Sequence, residues 1–213
     1  MFLMKKMGKC VFACALLAAF VWCGTVIADR QRLNEELIRL HVVANSDRVE
    51  DQELKLLVRD AIITSLRQAL ADVRDTEQAK EYLQENLPKL QELANKTLDA
   101  AGSAQQAVVT LCREGFPTRQ YNTFSLPAGI YEALRVTIGD GAGKNWWCVV
   151  FPSLCVPQTS QGFSDTAAGA GFPDALSGAL TGEEPYQIRF YLLDKLGELE
   201  KFLAGRGSPC LFE

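Results

Sequence analysis

Between Cys10 and Ala28 the chain carries no charged side chain, Lys5, Lys6 and Lys9 stand just ahead of this run, and no acidic residue occurs before Asp29. Positive residues followed by a continuous apolar stretch form an export signal, and this fixes the compartment in which everything downstream must fold. Val26 and Ala28 occupy the minus-3 and minus-1 positions of a cleavage site that would leave Asp29 as the mature N-terminus. The run is also about 18 residues long, the length at which a helix begins to span a bilayer, so residues 1–28 are either a removed signal or a membrane anchor. Lipoprotein processing at Cys23 is disfavoured, because Trp22 rather than a small residue precedes it.

The 213 residues, 48% of them hydrophobic, suffice for one domain with a real core plus appendages. The net charge of −4 falls to −7 once Lys5, Lys6 and Lys9 are removed with the signal. Such a balance repels phosphate backbones and argues against nucleic acid as a partner.

Residues 29–156 carry the patterns of an α+β domain. In "ELIRLHVVANSD" an apolar run from Leu37 to Val43 ends at the turn formers Asn45, Ser46 and Asp47, which describes a mostly buried strand. Asp47 and Glu50 have the spacing of a capping box that opens a helix. Leu54, Leu57, Val58, Ala61, Ile62, Ser65, Leu66, Ala69, Leu70 and Val73 then draw one stripe at three- and four-residue steps. A second stripe runs from Ala79 to Ala101 and meets Gly102, suited to a left-handed C-terminal cap. Pro88 interrupts it at a cost of ~3 kcal/mol, which predicts a kink or two abutting helices.

Four segments rich in β-branched and aromatic residues follow: Ala107 to Arg113, Gln120 to Leu126, Tyr131 to Ile138 and Asn145 to Phe151. They predict one antiparallel β-sheet, with the two long helices inserted after its first strand. Residues 157–187 are rich in Gly, Ala, Ser and Pro without a sustained period, the composition of a mobile linker. Residues 188–205 form a C-terminal amphipathic helix with Ile188, Leu192, Leu196, Leu199 and Leu203 on one side, which either docks on the domain or meets a partner.

The chemistry is sparse. "GDGAGK" invites comparison with a phosphate-binding loop, but Ile138 stands where the first Gly belongs, Asn145 replaces the Ser/Thr, and a strand follows instead of a helix. Gly139, Gly141 and Gly143 are better read as positive-φ residues in a hairpin loop. His41, the one histidine, falls within a strand and has no nucleophile at a telling spacing. No Cys-x-x-Cys or His-x-x-x-His offers a zinc site. The reading is of a protein that is not an enzyme and uses no cofactor, no metal and no small-molecule substrate.

Four cysteines lie beyond the signal: Cys112, Cys148, Cys155 and Cys210. Seven extended steps from Cys148 to Cys155 would span ~23 Å, whereas a disulfide needs Cα atoms within ~7 Å, so bridging them requires a reversal. Phe151-Pro152-Ser153-Leu154 can supply it, and the alternatives are a Cys148–Cys155 bridge or two reduced thiols. Trp146 and Trp147 are adjacent and point to opposite faces of a strand, so one enters the core while the other is exposed or lies under the final helix.

Together, "IRLHVVANSDRVEDQELKLLVRDAI" and "FPTRQYNTFSLPAGIYEALRVTIGDGAGKNWWCVVFPSLC" resemble the stage II sporulation protein R family of endospore-forming bacteria. The likeness runs from Leu37 to Cys155, including the helix around Leu87-Pro88, lapses through the linker and returns weakly in the last helix. Two positions depart from it: Ile130 stands where Glu is usual, and Asn122 where Gly usually follows the tyrosine.

The resemblance implies a signalling protein made in the forespore and exported into the space between forespore and mother cell. There it would trigger the membrane-embedded aspartic protease of the mother cell, which cleaves the precursor of sigma factor E. Arg39, His41, Asn45, Ser46, Asp47, Trp146 and Trp147 are the candidate contacts with that protease, because strand end, loop and tryptophans can converge on one rim; for Asn45, Ser46 and Asp47 helix capping is the competing role. The alternatives are an exported cysteine-dependent hydrolase or redox protein, and an inert structural domain of the spore envelope.

Overall fold

The computed structural model describes residues 2–73, 75–121, 124–152, 172–182 and 187–204. Helix α1 (Phe2–Glu36) leads directly into strand β1 (Ile38–Val43), followed by helices α2 (Val49–Ala69) and α3 (Thr76–Ala100). Strands β2 (Ala107–Phe116), β3 (Arg119–Gln120), β4 (Ser125–Leu126), β5 (Gly129–Ile138) and β6 (Asn145–Phe151) come next. Helices α4 (Asp174–Thr181) and α5 (Gln187–Ala204) complete the described elements.

The main sheet has the order β2-β5-β1-β6. β2 pairs with β5 and β1 with β6 antiparallel, whereas β1 and β5 run parallel. The α+β class and the insertion of two helices after the first strand are as expected, and the departures are this parallel pair and a separate two-stranded sheet, β3-β4. Two helices separate β1 from the remaining strands, a connection long enough to return the chain in either direction. Alternation fixes faces but carries no record of direction.

Both faces of the sheet are covered. Ile38, Leu40 and Val42 of β1 and Leu134, Val136 and Ile138 of β5 pack against Val58, Ile62 and Leu66 of α2 and Leu83, Leu90, Ala94 and Leu98 of α3. On the other face Phe116, Tyr131, Ala133 and Val149 meet Val26 and Leu33 of α1, Leu176 and Leu180 of α4, and Leu193 of α5. β1 is therefore buried along its whole length, Arg39 and His41 included.

Several local expectations are corrected. α2 has Arg48 at its N-cap position with no side-chain cap; the Asp47 carboxylate is taken by the Lys144 amide (2.8 Å) instead of capping the helix. Pro88 sits inside a single helix α3, which Asp75 caps at its start and which ends before Gly102 in the left-handed region. Gln120 to Leu126 is not one strand: β3 and β4 pair antiparallel, joined by the Tyr121 amide donating to the Phe124 carbonyl (2.8 Å). Within 157–187, Pro173 and Gly182 bracket an eight-residue helix whose Leu176, Ala179 and Leu180 are buried, too short a period to stand out in a Gly- and Ala-rich stretch.

The stretch Gly139 to Lys144 does not close a hairpin of neighbours, since β1 lies between β5 and β6. The loop instead wraps the C-terminal end of β1: the Gly143 amide donates to the Ala44 carbonyl (2.9 Å) and the Ala142 amide to the Asn45 carbonyl (3.0 Å). Gly139 and Gly141 have the expected positive φ. Gly143 is needed for space, because a Cβ there would lie 2.3 Å from the Ser46 carbonyl oxygen. Amides engaged in this way are not free to cradle a phosphate.

α5 docks on the domain. Its buried line is Leu193 and Gly197, while Ile188, Leu199 and Leu203 of the expected apolar side are exposed. Asp194 accepts from the Ala128 amide (2.9 Å) and from the Thr118 hydroxyl, which fastens the helix to the β4–β5 and β2–β3 connections.

Candidate functional site

β6 forms one edge of the sheet, and its register sets Trp146 opposite Val42, Trp147 opposite His41 and Val149 opposite Arg39. Successive side chains in a strand face opposite ways, so the two tryptophans part company. Trp147 turns inward, where it stacks on His41 and meets Phe116 edge-on with centroids 4.7 Å apart. Trp146 emerges beside α2, 37% exposed, with the Arg59 guanidinium 4.2 Å above its ring. Between α2 and β6 lies a cleft of about 310 Å³ lined by Arg59, Asp60, Ile63, Thr64, Arg67, Trp146 and Cys148, in which Arg59 is ion-paired with Asp60 (2.7 Å).

Behind Trp147 is a buried polar cluster. His41 Nδ1 lies 2.8 Å from Glu114 Oε1, and Arg135 Nη1 donates to the other carboxylate oxygen (3.1 Å). Arg39, wholly buried, donates from Nη2 to the Tyr121 hydroxyl (2.8 Å) and rests over the rings of Phe116 (4.1 Å) and Tyr131 (5.0 Å). Aromatic faces take the place of a carboxylate as the local compensation for its charge. Arg39 and His41 therefore do not reach a partner directly; they set the position of the strand that carries Trp146.

Asn45 and Ser46 also turn inward. Both donate to Asp51 Oδ2, at 3.0 and 2.5 Å, while Gln105 Nε2 donates to Asp51 Oδ1 at 2.6 Å. These three hydrogen bonds, from Ser46, Gln105 and Asn45, hold the Asp51 carboxyl down to about 2. Asn45 Oδ1 accepts from the Asp140 amide (2.9 Å), so a single side chain joins the β1–α2 and β5–β6 loops. Lys55 closes the other side by donating to the Lys144 carbonyl (3.0 Å) and Gln52 Oε1 (2.6 Å), and burial lowers its pKa. Of the seven candidate contacts, Trp146 alone presents a large apolar side chain outward; Asp47 is exposed but spends a carboxylate oxygen on Lys144.

Arg59, Ile63 and Arg67 were not singled out by the sequence. They recur at four-residue steps on α2, and that spacing was legible. Their meaning arises only from β6 lying alongside, a pairing of elements about eighty residues apart.

Cys112 and Cys148 are disulfide-bonded. They occupy opposite edge strands of a four-stranded sheet, about 14 Å apart at ~4.8 Å per strand, so they are not bonded to each other. Cys155 and Cys210 lie outside the described residues. Bridging withdraws Cys112 and Cys148 as free nucleophiles. Among the described residues no group of three His, Cys, Asp or Glu is placed to hold a metal ion.

The molecule is thus an α+β domain carried behind a helix long and apolar enough to cross a membrane, with a polar interior that braces one aromatic and cationic rim. A family model described as stage II sporulation protein R matches residues 34–161. The chain belongs to the stage II sporulation protein R family. It is 38% identical over 128 residues to stage II sporulation protein R of Bacillus subtilis (strain 168), across 60% of this chain and 57% of that protein. The match therefore spans somewhat more than half the length of the relative. No solved structure matches the chain.

Proposed function

We propose that this sporulation protein is an intercompartmental signal, exported into the space between forespore and mother cell, where it activates the membrane-embedded aspartic protease that processes the precursor of sigma factor E. The observation that carries this reading is family membership over residues 34–161, the span that holds every described strand together with α2 and hence the whole Trp146 cleft. The apolar helix α1 behind three lysines supports export. The disulfides at Cys112 and Cys148 agree with an oxidising compartment.

The protein acts as a ligand. It activates by binding the active arrangement of the protease more tightly than the inactive one, since equal affinity for both would shift nothing. Trp146, flanked by Arg59 and Arg67, is the contact surface: an aromatic anchor beside cations, the composition of an interface hot spot.

The test is co-expression of this chain with the protease and the sigma factor precursor in a host that does not sporulate. Processed sigma factor should accumulate only when all three are present. Equal processing without this chain, or none with it, would refute the activator role.

A further inference from the structure

α1 runs unbroken from Phe2 to Glu36, and its two halves face different surroundings. In the first half Val11, Phe12, Leu16, Leu17, Phe20 and Val21 are all exposed, on every side of the helix. From Val26 onward one side enters the domain: Val26 is 2% exposed and Leu33 fully buried, both packed in the same cluster as Phe116, Tyr131 and Leu193. The polar residues between them are engaged as well. Asp29 is ion-paired with Arg189 of α5, whose Nε donates at 2.6 Å, and Arg30 donates to Glu200 (2.6 Å) and to the Tyr131 hydroxyl (3.4 Å).

The bond between Ala28 and Asp29, where a signal peptidase would cut, thus lies within a helix whose residues on both sides help to hold α5 on the sheet. A peptidase needs its target segment extended and accessible, and here that would require Val26 to leave the core and the Asp29–Arg189 and Arg30–Glu200 ion pairs to open. We propose that residues 1–28 are kept, that Met7 to Gly24 span the bilayer, and that the folded domain stands directly on the outer end of that same helix, from Thr25 onward. The exposed apolar surface then has lipid as its occupant. Eighteen residues from Met7 to Gly24 at ~1.5 Å each give ~27 Å, close to a hydrocarbon core of ~30 Å, with the Lys9 ammonium reaching back to the headgroups. Lys5, Lys6 and Lys9 set the N-terminal side of the helix in the cytoplasm and the domain on the other side.

This deepens the proposed function and rests on it only for the identity of the facing compartment. A tethered ligand cannot diffuse away, so it meets a receptor in the opposing membrane at a high effective concentration, and only where the two membranes are closely apposed.

The full chain with a C-terminal tag, expressed in an exporting Gram-positive host, decides the matter. Membranes washed with alkaline carbonate should retain it, and its intact mass should include residues 1–28. A soluble product beginning at Asp29 would overturn the proposal; so would a full-length chain released by carbonate, which would mean that α1 rests on protein rather than in lipid. Ala28→Leu, an exposed position, places a large residue where cleavage requires a small one. In the co-expression assay it should signal as the parent chain does, and loss of processing with the variant still folded and abundant would show that cleavage is required. The mass measurement does not depend on the protease, so it stands whether or not the activator reading survives.

Discussion

His41 lies flat on Trp147, the ring centroids 3.7 Å apart and the planes inclined by 14°. The contact ties a central strand to an edge strand, and through Glu114 and Arg135 it continues to the other two. All four strands of the sheet therefore meet in one buried chain of side chains, with the exposed Trp146 next in sequence to its last member.

Replacing His41 by Ala removes the stacking partner of Trp147 and one of the two groups that meet the buried Glu114 carboxylate. A loss of about 2–4 kcal/mol is expected, the range for opening a cavity beside a charge left short of partners. Urea unfolding of the detergent-solubilised protein, followed by tryptophan fluorescence, measures it. A change below about 0.5 kcal/mol, the size of an ordinary surface substitution, would mean that the cluster does not brace the sheet.

Asp51 gives the fold a specific acid sensitivity. Its folded pKa of about 2 lies below the ~3.9 of an unfolded aspartate, so its contribution to stability is present above pH ~4 and is lost as the pH falls towards 2. Asp51→Asn should be less stable than the parent at neutral pH and converge with it near pH 2. Denaturation midpoints of both proteins across that range check this; a difference that persists undiminished at the acid end would remove Asp51 from the account.

The parts of this architecture that the sequence made legible are those governed by a local period. The stripe from Leu54 onward, the strand at Leu37 to Val43 and the alternation in Tyr131 to Ile138 each follow from neighbours a few residues away. What it concealed depends on distant partners. Nothing in "IRLHVV" shows that β5 lies parallel on one side and β6 antiparallel on the other, so the glycine loop has the pattern of a hairpin although a third strand fills it. Asp47 has the right spacing for a helix cap, yet the Lys144 amide, nearly a hundred residues on, takes its carboxylate. Arg39 passes for a surface residue because its compensation comes from the rings of Phe116 and Tyr131, not from an acidic neighbour in the chain. The cleft was hidden for the same reason: one wall belongs to α2 and the other to β6.

The docking of α5 depends on one missing side chain. A Cβ at position 197 would stand 1.6 Å from the Ala128 carbonyl oxygen and 2.5 Å from its carbon. Gly197→Ala must push the helix off the β4–β5 connection, at a cost of about 1–3 kcal/mol typical of overpacking. Because about 1.4 kcal/mol is a tenfold change in population, limited proteolysis within α5 should accelerate roughly tenfold. Leu199→Ala, at an exposed position on the same helix, should leave the rate near that of the parent. Equal resistance in Gly197→Ala would show that α5 is not seated on Ala128.

The bridging of Cys148 is open to direct chemistry. Alkylation of the denatured protein without reductant should spare Cys112 and Cys148 and modify Cys10, Cys14 and Cys23, the free cysteines of α1. The sequence expectation is that Cys155 is the partner of Cys148. Peptide mapping should recover that linked pair. A peptide joining Cys148 to Cys210 would overturn that expectation.

Trp146, Arg59 and Arg67 form the surface on which signalling is expected to depend, and of the three Arg67, exposed on α2, separates function from folding most cleanly. Trp146→Ala removes a ring that is 37% exposed together with its contact to Arg59, a loss of about 1–3 kcal/mol in stability, whereas Arg67→Glu reverses a charge at an exposed position in the last turn of α2 and should cost about 1 kcal/mol or less, so processing is compared per amount of folded protein. In the co-expression assay each should lower sigma factor processing severalfold when this protein is limiting, since an anchoring tryptophan and its neighbouring cation contribute about 1–2 kcal/mol apiece at a hot spot. Val108→Ser changes an exposed apolar side chain on the opposite edge strand and should leave processing unaltered. If Trp146→Ala and Arg67→Glu fold and process as the parent does while the parent itself activates, the protein still signals but through another face. The exposed side of α5, with Tyr191, Leu199 and Phe202, would then be the next surface to probe.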